Sequence, residues 1–385
     1  MGLFRKEESY LGIDLGSANI KVVELKNEHG RPRLLTYGYV EQSTDLVKTS
    51  SNEMIDQIVS LLKAVLVRSK TSSVQTVAAL PNFSVFSSVM SLPQMSKKDL
   101  AQAVHWEAKK FVPLPIEEMV IDWKVLPDRA VPVPMKAGEK EKASETKGAM
   151  DATQVLSHEK GEKKDEQAPS SGGNNVRILL TAAPKTLVER YVGLFKKAGL
   201  ELVGLETESF ALERALVGND PNPVMIVDVG ALTSDIMIVE KGIPILNRSV
   251  DVGGITITKS IATSMGVDLR RAEQFKRDVG FSSQGEGGIP KTIESSISPI
   301  INEIKYCFDL YRSQEGATHV AKIILTGGSA FLPELTDYLS RLLAIKVFIG
   351  DPWARVIYPA ELRPALEELG PRFSVAAGLA MREIV

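Results

Sequence analysis

Residues 11–26 constrain the fold of this chain more than any other stretch, because they read as a short β-hairpin with an acidic, glycine-containing turn, LGIDLGSANIKVVELK. The turn carries Gly16 and Ser17, and a bare backbone with nearby amide and hydroxyl donors can approach a phosphate closely. Asp14 adds the hard carboxylate oxygen that Mg²⁺ prefers, and Lys21 adds a positive charge. Many ordinary hairpins also turn at an acidic residue and a glycine, so this stretch alone leaves both interpretations open.

A second stretch, residues 224–241, repeats the pattern as VMIVDVGALTSDIMIVEK. Superposing Asp228 on Asp14 also superposes Gly230 on Gly16 and the apolar runs on either side. Two similar hairpins far apart in the chain indicate two similar domains, whose turns can hold a polyphosphate from both sides. We therefore expect the two aspartates to flank one Mg²⁺ ion, which proteins usually hold through one or two carboxylates, water and phosphate oxygens.

Residues 322–335 (KIILTGGSAFLPEL) form a third element, an apolar strand that ends in Gly327 and Gly328. Glycines at a strand end leave room for the flat face of a nucleotide base or sugar. The strand should lead into a helix with Pro333 in its first turn and Glu334 just after it, which is a favourable helix start. Together, the three elements predict a nucleotide cleft.

In order and separation, these elements resemble the phosphate 1, phosphate 2 and adenosine motifs of the actin/Hsp70/sugar-kinase superfamily. Within it, the chain apart from one insertion resembles the PilM family of type IV pilus assembly proteins, which is itself similar to the cell-division protein FtsA. The resemblance implies an α/β, actin-like (ribonuclease H-like) fold of two domains, with a duplicated core around a nucleotide cleft. It also implies a further α+β unit, subdomain 1C, inserted into the first domain.

The resemblance divides the chain into four subdomains. Subdomain 1A comprises residues 1–84, 205–222 and 362–385, the inserted subdomain 1C residues 85–204, subdomain 2A residues 223–255 and 300–361, and subdomain 2B residues 256–299. Within 1C, residues 129–175 are rich in Lys, Glu, Gly, Ser and Gln and almost free of large apolar side chains, so we expect them to be disordered. This segment is either a tether for docking or regulation, or a tolerated loop insertion.

The resemblance also implies ATP and Mg²⁺ as ligands, with Asp14 and Asp228 at the metal. The implied nucleotide-binding residues are Asp14, Gly16, Ser17, Ala18, Lys21, Asp228, Gly230, Thr233, Gly253, Gly254, Glu273, Lys276, Gly327, Gly328 and Ser329. Glu273 and Lys276 match the AE-x-x-K helix that touches ribose and base in MreB-like proteins. Read without the family, the same two residues are also typical of a solvated helix face with an i,i+3 ion pair.

Hydrolysis requires a polar side chain that orients water in line with the γ-phosphate. In MreB-like proteins a glutamate of the segment connecting the domains does this, helped by a threonine of the second loop. Thr207 falls at the position of that glutamate, and a shift by one residue would place Glu206 or Glu208 there. Ser234 and Asp235 occupy the positions of the second-loop threonine and its polar neighbour. The candidate catalytic groups are Glu206, Glu208, Ser234 and Asp235.

The chain departs from the family pattern at three positions. Ala231 and Leu232 replace two glycines of the second loop, and Ser329 replaces the third glycine of the adenosine motif. We therefore expect ATP binding but slow turnover, either as a slow ATPase or as a nucleotide-bound scaffold.

Composition excludes several other classes. The formal net charge of −2 gives no general attraction to nucleic acid or anionic lipid. Cys307 is the single cysteine, which excludes an intrachain disulfide and fits a reducing cytosol, and the four histidines lack metal-ligand spacing. No run approaches the roughly 20 apolar residues that span a bilayer, so we expect membrane association only through a partner.

The resemblance implies a cytoplasmic scaffold of the type IV pilus machine, peripheral at the inner membrane. Its implied partner is the N-terminal cytoplasmic peptide of the inner-membrane protein PilN, held in a groove whose floor comes from residues 85–92 and the helix 185–198. Other platform components and the assembly ATPases are further candidate partners. The alternatives are an FtsA-like division scaffold, the cytoplasmic half of the secretion protein GspL, and a small-molecule kinase. The chain ends without the C-terminal membrane helix of FtsA, lacks the transmembrane span of GspL, and offers no recognisable base or substrate pocket for a kinase.

Overall fold

The computed structural model of the chain describes residues 8–41, 51–112, 114–127, 175–282, 289–314 and 316–385. The prediction of disorder for residues 129–175 therefore lies outside the described residues, except at Asn175, where a strand begins. The predicted subdomain boundaries stay a prediction. Among the described helices, none combines the length with the apolar character that crossing a bilayer requires.

The described strands form three sheets. The first has the order β3-β2-β1-β4-β8 and contains β1 (Ser9–Leu15), β2 (Asn19–Glu28), β3 (Arg31–Glu41), β4 (Gln75–Leu80) and β8 (Glu201–Thr207). The second has the order β11-β10-β9-β12-β13 and contains β9 (Val224–Val229), β10 (Ser234–Glu240), β11 (Ile243–Val250), β12 (Lys322–Thr326) and β13 (Val347–Ile349). The third has the order β5-β7-β6 and contains β5 (Phe86–Pro93), β6 (Met119–Val125) and β7 (Asn175–Pro184).

The two five-stranded sheets repeat one topology. In each, the first strand pairs antiparallel with the next along the chain and parallel with a later one, as β1 does with β2 and β4, and β9 with β10 and β12. Their central strands, β1 and β9, are buried along most of their length, which is typical of strands covered on both faces. The repeated hairpins of the sequence thus open two copies of the same sheet.

Nine helices in the described part of the chain cover these sheets. They are α1 (Asn52–Ser69), α2 (Lys97–Phe111), α3 (Lys185–Ala198), α4 (Glu208–Leu216), α5 (Gly254–Met265), α6 (Leu269–Val279), α7 (Ile289–Arg312), α8 (Leu335–Leu343) and α9 (Arg363–Met381). Local sequence sets several ends, since Ser96 and Asp268 accept backbone N–H bonds at the starts of α2 and α6. Gly199 ends α3 in the left-handed conformation that glycine adopts without strain.

Helix α9 lies directly on β1. A Cβ atom at Gly12 would overlap the backbone at Ala376 and Ala380, so this close approach requires glycine on the strand and small residues on the helix. On the other face of the first sheet, α1 and α3 share one apolar core with β1. The last helix therefore returns to the first sheet and packs beneath its hairpin.

The inserted sheet contacts both halves of the molecule. Helix α2 covers one of its faces, where Leu100 and Val104 pack against Ile178. From the other face, Leu179 of β7 joins the core of the second sheet, as does Leu126 just after β6. The insertion is thus held by the second sheet as well as by its own helix.

One sequence expectation stays a prediction here, and another needs correction. No finding tests the groove floor predicted from residues 85–92 and the helix 185–198; the inward residues of this helix, among them Tyr191 and Phe195, are buried against the first sheet and belong to the core. The helix after β12 begins at Leu335 and not near Pro333. Glu334 has a left-handed backbone (φ 58°), because a series of turns starting at Gly327 separates the strand from the helix.

Candidate functional site

A cavity of about 750 Å³ lies where the three predicted motifs meet. The turns of both hairpins, the end of β12, the starts of α4 and α5, and one face of α6 border it. Sixteen of the predicted site residues line it: Asp14, Gly16, Ser17, Ala18, Lys21, Glu208, Asp228, Gly230, Thr233, Asp235, Gly254, Glu273, Lys276, Gly327, Gly328 and Ser329. Residues that are separated by up to 315 positions in the sequence thus face one space.

Glu206 does not face this space, which corrects its assignment as a candidate catalytic residue. Its carboxylate accepts hydrogen bonds of 2.7 and 2.9 Å from the Arg214 guanidinium and lies 3.5 Å from Arg382. Glu206 lies within β8 on the face that Arg214 and Arg382 cover, and the strand ends at Thr207, so the change into α4 takes Glu208 off that face. Glu208, two residues later at the first position of α4, is the acid of this segment that lines the cavity.

Ser234 and Gly253 also lie outside the cavity lining. Ser234 is fully buried, and its hydroxyl donates a 2.6 Å hydrogen bond to the Val252 carbonyl, so it is not placed to orient water. Gly253 precedes α5, and a Cβ atom there would lie 2.6 Å from the backbone carbonyl of Ala231. Its role is therefore close packing of the second turn against α5, and its assignment as a nucleotide contact is corrected.

The inner end of the cavity is strongly acidic. Asp14 stands opposite Lys21 in the β1–β2 register, and their side chains form a 2.6 Å ion pair. In the second hairpin, Asp228 stands opposite Asp235, so a carboxylate replaces the lysine. With Glu208, four carboxylates share this region with one ammonium group among the described residues that line it.

Burial and mutual repulsion perturb these carboxylates. Burial, and then the charge of Asp235, raise the pKa of Asp228 to about 7, although Lys21 opposes the change. Burial raises the pKa of Asp235 to about 6, while a hydrogen bond from Ser249 opposes it. Burial and the neighbouring aspartates hold the pKa of Glu208 well above its ordinary value. Excess negative charge here therefore favours a bound cation or proton.

Glu208 is held by the turn that leads into the inserted sheet. The Asn82 N–H donates a 3.0 Å hydrogen bond to its Oε2. The Asn82 side-chain oxygen in turn accepts from the N–H and the hydroxyl of Ser209, at 3.2 and 2.8 Å. Since residues 82–84 form one 3₁₀ turn between β4 and β5, the position of Glu208 depends on where the inserted sheet begins.

On α6, Glu273 and Lys276 belong to a buried network. The Lys276 ammonium lies 2.6 Å from the Glu273 carboxylate and donates to the Thr258 hydroxyl and the Gly254 carbonyl. Arg277 donates to the other Glu273 oxygen at 2.9 Å. Burial lowers the pKa of Lys276. For Glu273, burial alone would raise the pKa, but hydrogen bonds from Lys276 and Thr258 outweigh it and the pKa is lowered. With Lys276 only 6% exposed, the alternative of a solvated i,i+3 pair does not hold.

The two glycines at the end of β12 differ. Gly327 has φ +88°, and a Cβ atom there would overlap the Asp228 carboxylate. At Gly328, a Cβ atom would meet no heavy atom within 4 Å. Gly327 therefore serves the fold of the loop, whereas Gly328 keeps open space in the cavity.

Sequence reasoning missed several lining residues. They are Leu15, Asn19, Tyr39, Glu41, Pro81, Phe83, Asp251, Ile255, Arg277, Pro371, Arg372 and Val375, together with Ala231 and Leu232 of the second turn, which were noted only as departures. Arg277 could have been found from its i,i+4 spacing to Glu273. Tyr39 and Arg372 belong to no motif, because tertiary packing alone brings them to the cavity.

The residues present fit a nucleotide-bound Mg²⁺ better than a metal held by protein alone. Among the described residues, no group of three or more His, Cys, Asp or Glu side chains is arranged to hold a metal ion. Mg²⁺ instead needs one or two carboxylates, with phosphates and water completing its shell. Asp14 and Asp228, which both line the cavity, can supply those carboxylates.

Comparisons with known proteins define the class. A solved structure of MreB5 from Spiroplasma citri bound to AMPPNP is similar over 98% of this chain and 96% of that chain, with 13% identity and a TM-score of 0.51. The ethanolamine utilization protein EutJ from Carboxydothermus hydrogenoformans is similar over 97% and 89%, with 18% identity and a TM-score of 0.52. The fold is that of the actin-like ATPases, which confirms the predicted fold class.

The family follows from a broader match. The model for type IV pilus assembly protein PilM matches residues 12–154 and 165–384, and a solved PilM-PilN type IV pilus biogenesis complex is similar over 98% of both chains, with 24% identity and a TM-score of 0.75. The chain belongs to the PilM family of type IV pilus assembly proteins, as the sequence predicted. FtsA from Neisseria meningitidis serogroup B is 22% identical over 228 residues, and FtsA from Bacillus subtilis 21% over 198. The chain spans about half the length of these curated relatives.

Proposed function

We propose that this pilus assembly protein is a cytoplasmic scaffold that binds ATP with Mg²⁺ and docks the N-terminal cytoplasmic peptide of the inner-membrane protein PilN. Through that peptide it would lie at the inner membrane. ATP would keep the two halves of the actin-like body closed around the cleft, with at most slow hydrolysis. Other platform components and the assembly ATPases stay predicted partners.

The observation that carries the nucleotide proposal is the charge distribution in the cavity. Four carboxylates, two buried and two half-buried, meet where the two hairpin turns approach α4, whereas Lys276, Arg277 and Arg372 line other parts of the same cavity. A polyphosphate alone would be repelled by the acids, and a metal alone would find too few ligands in fixed positions. A magnesium polyphosphate suits both the acidic and the basic parts of the cavity, because the ion binds carboxylates and phosphates together.

Several residues of the cavity then have a role in holding the nucleotide. Asp14 and Asp228 would hold Mg²⁺, which neutralises phosphate charge when bound. Gly328 leaves space for the base or sugar, and Lys276 orders the ribose side of the cleft through its bond to the Gly254 carbonyl. Glu208, fixed by the Asn82 N–H, is the group placed to orient water.

Slow turnover follows from the same geometry. Glu208 can accept a proton from water only when it is ionised, and its buried, acidic surroundings disfavour that state until a cation is bound. Ser234, which would assist in the family pattern, is committed to the Val252 carbonyl. Glu208 is then the one group left to orient water, a task for which the MreB-like pattern uses a glutamate and a threonine.

The PilN proposal rests on the family and on the solved PilM-PilN complex, which this chain resembles along nearly its whole length. Since the inward residues of α3 are core, we place the peptide against the outward side of this helix. Val192 is the large apolar residue exposed there, at 48%. An aliphatic side chain on an otherwise polar face is a suitable anchor point for a short peptide.

Two titrations test the proposal. Isothermal titration with MgATP should show binding by the unchanged protein and by Gly193→Val, but not by Gly328→Val. Both glycines have open space at their Cβ positions, yet only Gly328 lines the cavity. Failure of the unchanged, folded protein to bind MgATP would overturn the nucleotide proposal.

For the partner, fluorescence anisotropy with a labelled PilN N-terminal peptide should give saturable binding, weakened by Val192→Glu. Val67→Glu is the matched control, because Val67 is also an exposed valine, at 76%, but lies on α1 and not on α3. If a folded, ATP-loaded protein does not bind the peptide, or if both variants bind it equally well, the proposed docking site is wrong. An absence of binding would favour the FtsA-like scaffold.

A further inference from the structure

We propose that Arg372, on the last helix, is a phosphate-binding residue of the nucleotide cleft. The inference rests on the proposed nucleotide function and adds a contact from an element that carries none of the three motifs. Arg372 lines the cavity and is half-buried within α9.

A comparison of the cavity's cations singles out Arg372. Lys21 is paired with Asp14, and Lys276 and Arg277 both bind Glu273. Among the described residues, Arg372 has no ion-pair partner, although acidic groups line the same cavity. A half-buried guanidinium with no partner is costly unless a ligand supplies the missing acceptors.

The backbone of Arg372 is fixed between two of the motifs. The preceding carbonyl, of Pro371, accepts a 3.1 Å hydrogen bond from the Gly327 N–H and a 3.0 Å bond from the Thr326 hydroxyl. One helical turn later, Ala376 packs on Gly12 of β1. Arg372 therefore lies where the end of β12 approaches the strand that leads to the first phosphate turn.

Its surroundings favour phosphate over other parts of a nucleotide. The residue belongs to a helix packed on β1, and β12 pairs with β9 so that Thr326 lies beside Asp228, the acidic residue of the second phosphate hairpin. A planar guanidinium can bind two phosphate oxygens at once, which a lysine at this place could not do.

Titration of the purified protein with ATP, ADP, AMP and adenosine, all with Mg²⁺, tests the inference. We expect Arg372→Ala to weaken ATP and ADP binding about tenfold to a hundredfold, the usual cost of a lost charge-assisted hydrogen bond. Adenosine binding should stay unchanged, and Arg372→Lys should recover part of the loss. Arg363→Ala is the control, because Arg363 is exposed at the first position of the same helix.

The series of four ligands distinguishes a failure of the Arg372 inference from a failure of the proposed nucleotide function. ATP binding by Arg372→Ala equal to that of the unchanged protein overturns the inference and leaves the proposed function intact. An equal loss for adenosine and ATP also overturns it, since a phosphate contact cannot act on adenosine. If the unchanged protein binds no nucleotide, the proposed function fails and the inference with it. Should Arg372→Ala unfold, Arg372→Gln, which keeps most of the stem, answers the same question.

Discussion

Replacing Glu208 by glutamine separates its role as the hydrogen-bond acceptor of the Asn82 N–H from its proposed role in orienting water. Without a bound cation, burial and the neighbouring aspartates raise the pKa of the Glu208 carboxyl well above its ordinary value, which favours the protonated form, and a protonated carboxyl has nearly the shape of an amide. The glutamine oxygen can still accept the Asn82 N–H bond. The substitution therefore preserves the fold and removes only the capacity to become a carboxylate.

The structure fixes the expected magnitudes. Glu208→Gln should change the free energy of unfolding by less than about 1 kcal/mol, because the Asn82 N–H keeps an oxygen acceptor. Glu208→Ala should cost about 1–3 kcal/mol or more, since the Asn82 N–H loses its buried acceptor. The rate of ATP hydrolysis by Glu208→Gln should fall at least about a hundredfold, the usual effect of losing a general base.

The assay combines urea unfolding of the nucleotide-free protein with single-turnover phosphate release. Glu206→Gln provides a matched control from the same segment, with the opposite expectation. Turnover should persist, while stability should fall by about 1–3 kcal/mol because the Arg214 guanidinium loses one acceptor. Unchanged turnover in Glu208→Gln, or lost turnover in Glu206→Gln, would refute the assignment of the cavity-facing acid.

Three further predictions concern the cleft. The pKa of Asp228 is raised to about 7, far above its unfolded value near 4, so the nucleotide-free native state binds more protons between these values. Thermal melts should therefore show stability falling as pH rises from about 4 to 7, and both Mg-nucleotide and Asp228→Asn should flatten the trend. Gly327→Ala should destabilise the fold by more than about 1 kcal/mol in urea unfolding, because its φ of +88° suits only glycine, whereas Gly328→Ala should not. Asn82→Ala should cost about 1–3 kcal/mol by the same method and also slow phosphate release, since the turn that positions Glu208 loses its bonds to Ser209; full turnover would contradict this link.

The phosphate and adenosine elements could be predicted from sequence because local chemistry determines them. An apolar strand, an acidic residue and a glycine specify a tight turn wherever they occur, and Asp14 and Asp228 accordingly face the cavity. The choice between Glu206 and Glu208 could not be made this way. It depends on where β8 ends, because Glu206 is still in the strand and contacts Arg214, whereas Glu208 is the first residue of α4.

Tertiary packing also explains two other features that the sequence analysis predicted wrongly or did not find. Pro333 and Glu334 have favourable helix-start chemistry, but turns between β12 and α8 delay the helix to Leu335. Arg372 lies 44 residues after Gly328 and reaches the cleft only because the small residues of its helix pack on Gly12. A contact created by one helix lying on one strand leaves no spacing signal in the chain.

The inserted sheet contacts both sides of the cleft, so it connects their movements mechanically. On one side, the Asn82 turn holds Glu208 of the first half. On the other, Leu179 packs into the core of the second sheet, and Arg177 lies 3.6 Å from the Glu240 carboxylate on β10. Any rotation of the two halves about the nucleotide must therefore strain one of these attachments or move the inserted sheet. Because interfaces of this kind switch between discrete arrangements, we expect binding in the proposed nucleotide cleft to change the shape of the proposed peptide site beside the insertion.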